Sequence, residues 1–139
     1  MSTAAPAAHD RFTTRPHTVT EDEILHFAHL TGDTHPLHTD PEWAAGSRFG
    51  EQIAHGLLVL SFAIGLLPFE RTRIVALRRL SDVVFKQPVK IGDTVTVDGQ
   101  IVRARPIDDE HELVEADLKI LNQDGKLTVR STIELVWRT

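Results

Sequence analysis

The feature that most restricts the fold of this chain is an apolar run at residues 56–67, in which Ser61 is the only polar side chain. The run is not enriched in the β-branched residues of strands, and Pro68 stops it, so it predicts a helix that is apolar on every side. Such a helix has to be buried all round. In a chain of only 139 residues, the other elements therefore have to wrap around it.

The C-terminal half of the chain predicts four consecutive antiparallel strands. Their patterns are rich in β-branched residues or alternate between apolar and polar positions, as strands do. The strands are predicted at residues 74–86, 94–102, 111–121 and 127–137. Asp124-Gly125 between the last two is a strong hairpin signal.

The N-terminal half predicts helices. Thr20 and Glu23 have the spacing of a capping box, and Gly32 is placed to end that helix in a left-handed turn. A polar loop is predicted at residues 31–40, followed by a short helix at residues 41–45. Because helices and strands are segregated rather than alternating, the fold class is α+β, a curved antiparallel sheet wrapped around a central buried helix.

The domain organisation is simple. Residues 1–10, rich in Ala and polar side chains, are predicted to be disordered, and residues 11–139 to form one domain, since no linker divides them.

Composition excludes several classes of function. The absence of cysteine excludes disulfide scaffolds, zinc ribbons, iron–sulfur sites and thiol nucleophiles. With a net charge of −5 and scattered basic residues, we expect no nucleic-acid partner. No apolar run reaches the roughly 18 residues of a membrane span, and the N-terminus does not resemble a secretory signal. A cytoplasmic protein without a membrane partner is predicted.

A cluster of polar residues precedes the apolar run. Asp33, His35 and His38 lie in the loop at residues 31–40, and His55 stands at the start of the run. Asp33 and His38 together offer a carboxylate and an imidazole for acid–base chemistry near neutral pH. Alternatively, Asp33 only caps local backbone N–H groups and His38 only packs in the loop.

Gly56 and the histidines each allow a second interpretation. The first N–H groups of a helix lack partners within it, so Gly56 could let an anion or a polarised carbonyl approach the backbone, or it could serve tight packing. His35 and His38 could ligate a metal with Asp33 or His55 as a third ligand. The chain lacks the HxxxH pattern of a helical site, and we predict no metal.

The segment TGDTHPLHTDPEWAAGSRFGEQIAHGLLVLSFAIGLL, residues 31–67, resembles the hydratase motif of the MaoC-like dehydratases, which include the (R)-specific enoyl-CoA hydratases. The matching parts are Gly-Asp, Pro-Leu-His, Asp-Pro and His-Gly, in that order. FKQPVKIGDTV, residues 85–95, resembles a later strand and turn of the same family.

The resemblance implies a hot-dog fold and the reversible hydration of trans-2-enoyl thioesters to (R)-3-hydroxyacyl thioesters. It implies that Asp33 and His38 are the acid–base pair, and that the Gly56 N–H binds the thioester oxygen. The substrate would be an acyl-CoA or an acyl-carrier-protein thioester, whose phosphopantetheine is part of the substrate, and no other cofactor is expected. Since the chain is too short for two hot dogs, a homodimer is predicted.

One residue departs from the family motif, because His35 stands where Asn is usual. A charged His35 would favour an ionised Asp33 and oppose a positive His38. One alternative function is a catalytically altered subunit that only binds acyl thioesters. Another is a hot-dog thioesterase, although residues 56–67 lack the carboxylate such enzymes place on the central helix.

Six further residues are predicted to contact the substrate. Bulky side chains at two of them, Ile64 and Leu67, favour a short or medium acyl chain. The six are His35, His55, Trp43, Leu57, Ile64 and Leu67.

Overall fold

The central helix and the sheet are both present in the computed structural model, which describes residues 5–139. The helices are α1 (Glu21–Thr31), α2 (Pro36–Thr39), α3 (Pro41–Ala45) and α4 (Gly56–Leu66). The strands are β1 (Arg11–Thr13), β2 (His17–Thr18), β3 (Ile74–Phe85), β4 (Thr94–Pro106), β5 (His111–Leu121) and β6 (Leu127–Arg138).

The sheet is antiparallel, with the strand order β1-β4-β5-β6-β3 and β2 paired to β4. Helix α4 packs against it and shares one hydrophobic core with β4, β5 and β6. This is the α+β hot-dog arrangement that the sequence predicts.

Alternate strand residues form the sheet side of this core, as the period of two requires. On β5 they are Val114, Ala116, Leu118 and Ile120, all at most 1% exposed. On α4 the buried residues are Leu58, Val59, Leu60, Ala63 and Leu66. Burying each large aliphatic side chain contributes about 1.5–3 kcal/mol, so packing against the sheet holds α4 in place.

One stripe of α4 is not buried, so the expectation of burial all round is wrong. Leu57, Ser61 and Gly65 are exposed, and Leu57 retains 60% of its accessible surface. Their spacing of four residues places them along one line of the helix. The sheet and the other members of the shared core cover the other faces of α4, and no element within residues 5–139 covers this line.

The first predicted strand pairs differently from a simple meander. β3 precedes β4 in the chain but pairs with β6, at the end of the sheet. The connection from β3 to β4 passes the start of α4 instead of turning back beside β3, and there the Ala54 N–H donates to the Val89 carbonyl at 2.7 Å. This crossing brings the end of β3 next to the helix N-terminus. β4 itself is longer than predicted and continues to Pro106.

The predicted capping box is confirmed at the start of α1. The Glu23 N–H donates to Thr20 Oγ1 at 3.2 Å, and the Thr20 N–H donates to Glu23 Oε1 at 2.9 Å. Gly32 ends α1 with a φ of 82°, the left-handed conformation that glycine adopts without strain. The loop predicted at residues 31–40 contains a further short helix, α2, because Pro36 is suited to a first helical position.

The N-terminal segment is partly held to the sheet. The predicted disorder covers residues 1–10, of which 1–4 lie outside the described residues. The His9 N–H donates to the Ile101 carbonyl, and the Ile101 N–H donates to the Asp10 carbonyl, each at 2.8 Å. The main chain is thus hydrogen-bonded to the sheet before residue 11, and the domain bounds stay a prediction.

None of the helices within residues 5–139 is both long enough and apolar enough to cross a bilayer.

Candidate active site

The turn after α1 places the polar cluster beside the start of α4. Gly32 turns the chain sharply, and Asp33, which follows it, is exposed. Helix α2 begins three residues after Asp33. His35 is the N-cap of α2, and its Nδ1 accepts the Leu37 N–H at 3.0 Å. The proton of this ring therefore lies on Nε2.

His38 lies in α2 and is half-buried. Its Nδ1 donates to the Ile53 carbonyl at 2.7 Å, so in the neutral ring Nε2 is a free acceptor. The Gln52 side chain donates to the His38 carbonyl at 3.0 Å and fixes the backbone as well. Such a ring is oriented for use as a base.

Burial is the main perturbation of this imidazole. Burial lowers the pKa of His38, the hydrogen bond to the Ile53 carbonyl raises it, and the neighbouring His55 lowers it further. Asp33, which raises the pKa of His38, and His35, which lowers it, have smaller effects. The net pKa lies below the ordinary histidine value, so His38 is neutral and able to accept a proton at neutral pH.

His55 joins Asp33 to His38. Its Nε2 donates to the Asp33 carbonyl at 2.9 Å, and its ring stacks on His38 with centroids 3.8 Å apart. One ligand-type atom from each of the three residues lies within 4.8 Å of the others. The structure thus brings together Asp33, His38 and His55.

A carboxylate with two imidazoles could hold a metal ion. This trio differs from the ligand set that the sequence suggests, because His35 is not part of it. His35 Nδ1 is engaged by the Leu37 N–H, and its ring centroid lies 6.1 Å from that of His38. Within the trio, two ring nitrogens already donate to carbonyl groups. The expectation of no metal stays a prediction.

Gly56 is the first residue of α4, so its N–H has no partner within the helix. A Cβ at this position would overlap the Phe85 ring, which packs directly against the glycine. Close packing therefore requires glycine here, while the binding of a polarised carbonyl by the N–H at the helix start stays a prediction.

A cavity of about 230 Å³ opens beside His38 and Gly56. Its other walls are mostly apolar, and Lys86 lies at its exposed side. The walls include Phe49, Val59, Phe85, Val89 and Val129. An apolar cavity with an imidazole and a helix N-terminus in its wall suits a ligand with an apolar tail and a polar reacting group.

The cavity walls are not the predicted substrate contacts. Trp43 is half-exposed on α3 and packs edge-on against His35, with centroids 5.3 Å apart. Leu57 lies on the exposed stripe of α4, and Ile64 is half-buried further along that helix. Leu67 is buried at the far end of α4.

His55 also lies apart from the cavity walls, at 3% exposure. Sequence reasoning missed Phe85, Val59 and Val89 as wall residues. The signal for Phe85 and Val89 was present in the segment at residues 85–95. This segment resembles a family motif, but the sequence alone assigns it no role in the site.

The chain matches the model of the MaoC like domain over residues 3–123. It is 33% identical over 107 residues to an (R)-specific enoyl-CoA hydratase of Aeromonas caviae, covering 77% of this chain and 78% of that protein. It is 39% identical over 89 residues to protein MaoC of Klebsiella aerogenes, covering 63% of this chain but only 27% of that longer protein.

A solved structure agrees with the sequence relatives. The monoamine oxidase regulatory protein from Archaeoglobus superposes with a TM-score of 0.86 at 35% identity, over 95% of this chain and 90% of that one. The fold is a hot dog, in which Asp33, His38 and His55 lie together beside the start of the central helix. The chain belongs to the MaoC-like family.

Proposed function

We propose that this protein catalyses the reversible hydration of trans-2-enoyl thioesters to (R)-3-hydroxyacyl thioesters. The observation that carries the proposal is that Asp33 lies beside His38, while His38 and the first residue of α4 both line one apolar cavity. Relatives named as hydratases and as 3-hydroxyacyl-thioester dehydratases support the same class of reaction.

In the hydration direction, a water molecule is held between the Asp33 carboxylate and Nε2 of His38. The pair takes one proton as the water oxygen attacks C3, and a proton is delivered to C2, so the sum is one water added across the double bond. Because Nδ1 of His38 is held by the Ile53 carbonyl, Nε2 is the atom that exchanges the proton.

The Gly56 N–H would stabilise the negative charge that develops on the thioester oxygen during this step. A preorganised donor of this kind is worth about 3–4 kcal/mol of activation free energy. It also lies at the positive end of α4, which favours the same charge.

The departure from the family motif is compatible with this reaction. His35 Nδ1 accepts the Leu37 N–H and caps α2, a role that an Asn side-chain oxygen performs equally well. The remaining Nε2–H of His35 is a donor, as an Asn amide is. We infer that His35 preserves the shape of the loop that carries Asp33 and His38.

The substrate is an acyl chain carried by CoA or by an acyl carrier protein, and the reaction needs no other cofactor. The small volume of the cavity, rather than the bulk of Ile64 and Leu67, favours a short acyl chain. Lys86 at its exposed side offers a positive charge to a phosphate of the carrier.

We further propose a cytoplasmic homodimer formed along β3. This 12-residue strand ends the sheet, and a long apolar edge strand is a ready site for pairing. Its exposed apolar residues are Val75, Leu77, Leu80 and Phe85. Because Phe85 also lines the cavity, a partner paired here would lie beside the site.

The dimer is tested by light scattering on the purified chain and on Leu80→Lys. The wild-type protein should have twice the mass of one chain, and the substitution should shift it towards the monomer. A wild-type mass of one chain would contradict the proposed dimer.

The reaction is tested with purified protein and trans-2-enoyl-CoAs of increasing length, with Asp33→Asn and His38→Ala as controls. We expect loss of the enoyl absorbance that both substitutions abolish. Release of free thiol would indicate a thioesterase instead, and binding without turnover would indicate an acyl-thioester-binding subunit.

A further inference from the structure

We propose that His55 is a positioning residue for the reaction proposed above, which orients His38 and holds the chain at Asp33. It is the N-cap of α4, directly before Gly56. Its ring is 3% exposed and touches both members of the acid–base pair. The inference rests on the proposed function but concerns a residue that acts through others.

The hydrogen bond of His55 holds the backbone of the loop and leaves its carboxylate free. Nε2 donates to the main-chain carbonyl of Asp33 at 2.9 Å, across 22 residues of sequence. Because the acceptor is the backbone, the Asp33 side chain remains free to face water and substrate. The bond ties the turn after α1 to the start of α4, the two elements that must meet at the site.

The same hydrogen bond selects one form of the His55 ring. With the proton on Nε2, Nδ1 is an acceptor, and it is buried without a hydrogen-bond partner among residues 5–139. Since Nε2 is engaged, Nδ1 is buried and the ring does not line the cavity, His55 is suited to structure rather than to proton transfer.

The stacking of His55 fixes the other member of the pair. The His38 and His55 rings are nearly parallel, at 25° and with centroids 3.8 Å apart. Phe27 of α1 packs edge-on against His55, with centroids 4.8 Å apart, and supports it from α1. With Nδ1 bound to the Ile53 carbonyl, His38 is constrained both in its plane and across its face.

This role differs from the substrate contact that the sequence predicts. His55 is buried and is not part of the cavity walls, so a ligand in the cavity meets His38 and Gly56 instead. Its influence on the reaction must pass through the geometry and the charge of its neighbours.

Two substitutions separate the hydrogen bond from the stack. His55→Gln keeps an N–H near the position of Nε2 but removes the ring, and His55→Phe keeps the ring but removes the donor. We expect each to lower kcat by about 10- to 100-fold, with KM changed by less than about threefold. Thermal unfolding of each variant shows whether the fold is retained.

The pH dependence gives a readout that loss of stability alone does not move. The groups around His38 are Asp33, which raises its pKa, and His35 and His55, which lower it, in addition to burial. Removing His55 should therefore move the acid limb of kcat/KM to higher pH. Titration of the His38 ring by NMR should show the same displacement without any substrate.

Val114→Ala is the matched control, because Val114 is fully buried on β5 and does not line the cavity. It should lower stability while leaving kcat and the His38 titration unchanged. Two results would overturn the proposal: both His55 variants keep kcat within about twofold of wild type with an unmoved His38 titration, or KM rises while kcat is kept. If the wild type shows no turnover, the proposed function fails, and an unmoved NMR titration by itself then refutes the positioning role.

Discussion

The two ends of α4 differ in what they bury. At the N-terminal end, His55 is buried with an unpartnered ring nitrogen, Gly56 opens the helix and His38 stacks alongside. At the C-terminal end, Leu67 is 1% exposed and Phe69 packs against Trp137, with ring centroids 6.2 Å apart. The N-terminal end of α4 therefore lies among imidazole rings and the C-terminal end among apolar and aromatic side chains, although the buried Trp137 Nε1 there also has no hydrogen-bond partner among the described residues.

This difference separates the part of α4 that contributes most to stability from the part that lies at the proposed active site. Buried polar groups cost free energy unless they are well paired, and they are retained where a reaction needs them. Apolar packing at the far end of α4 contributes stabilising free energy, which offsets this cost. Substitutions at the two ends should therefore change different observables.

The largest expected effect is on turnover at the polar end. His38→Ala or Asp33→Asn removes one member of the proposed acid–base pair and should lower kcat by about 10²- to 10⁴-fold. Because Asp33 is exposed and His38 half-buried, thermal unfolding should change little. Steady-state kinetics and calorimetry on the same preparations check both parts.

The matching change at the apolar end is Leu67→Ala. Truncating this buried side chain should lower the free energy of unfolding by about 2–5 kcal/mol, while the folded fraction keeps its kcat. Denaturant titration measures the first quantity. A loss of kcat in the fully folded variant would mean that the two ends are not separable.

One substitution made at two glycines of α4 should have opposite effects. A Cβ at Gly56 overlaps the Phe85 ring, so Gly56→Ala should lower both stability and kcat. A Cβ at Gly65 meets nothing within 4 Å, so Gly65→Ala should stabilise the helix by about 0.5–1 kcal/mol. Thermal unfolding and kcat of the pair measure the contrast, and equal effects would contradict the role of Phe85.

The pH dependence of turnover should follow His38. Burial lowers the pKa of His38, so the acid limb of kcat/KM should lie below the ordinary histidine value. The same shift makes the unfolded chain bind more protons than the folded one, so stability should fall as pH drops through and below the ordinary histidine range. An acid limb above that range would contradict the assignment.

The smallest effect is expected at His35, the residue that departs from the family motif. His35→Asn should keep the cap on the Leu37 N–H and change kcat by less than about threefold. His35→Ala, which removes the cap, is the control and should cost more. A large gain or loss in His35→Asn would show that this ring does more than shape the loop.

Sequence patterns predicted the parts of this molecule that depend on near neighbours. The apolar run gave the central helix, the capping box gave the start of α1, and the period of two gave the buried face of β5. The pair Asp33 and His38 followed from a motif that is continuous in sequence.

The remainder depends on distant contacts that periodicity does not encode. The pairing of β3 with β6, the ring of Phe85 over Gly56 and the bond from His55 to Asp33 each join residues far apart in the chain. For the same reason the substrate contacts predicted at Leu57 and Leu67 do not coincide with the cavity walls, since these residues lie on another face and at the other end of α4.

The most direct test of the proposed reaction follows the oxygen of water. Incubation of a trans-2-enoyl-CoA with the protein in isotopically labelled water should give an (R)-3-hydroxyacyl-CoA with the label on C3 and the thioester intact. Label in the carboxylate of a free acid, or an unchanged enoyl-CoA, would contradict the account.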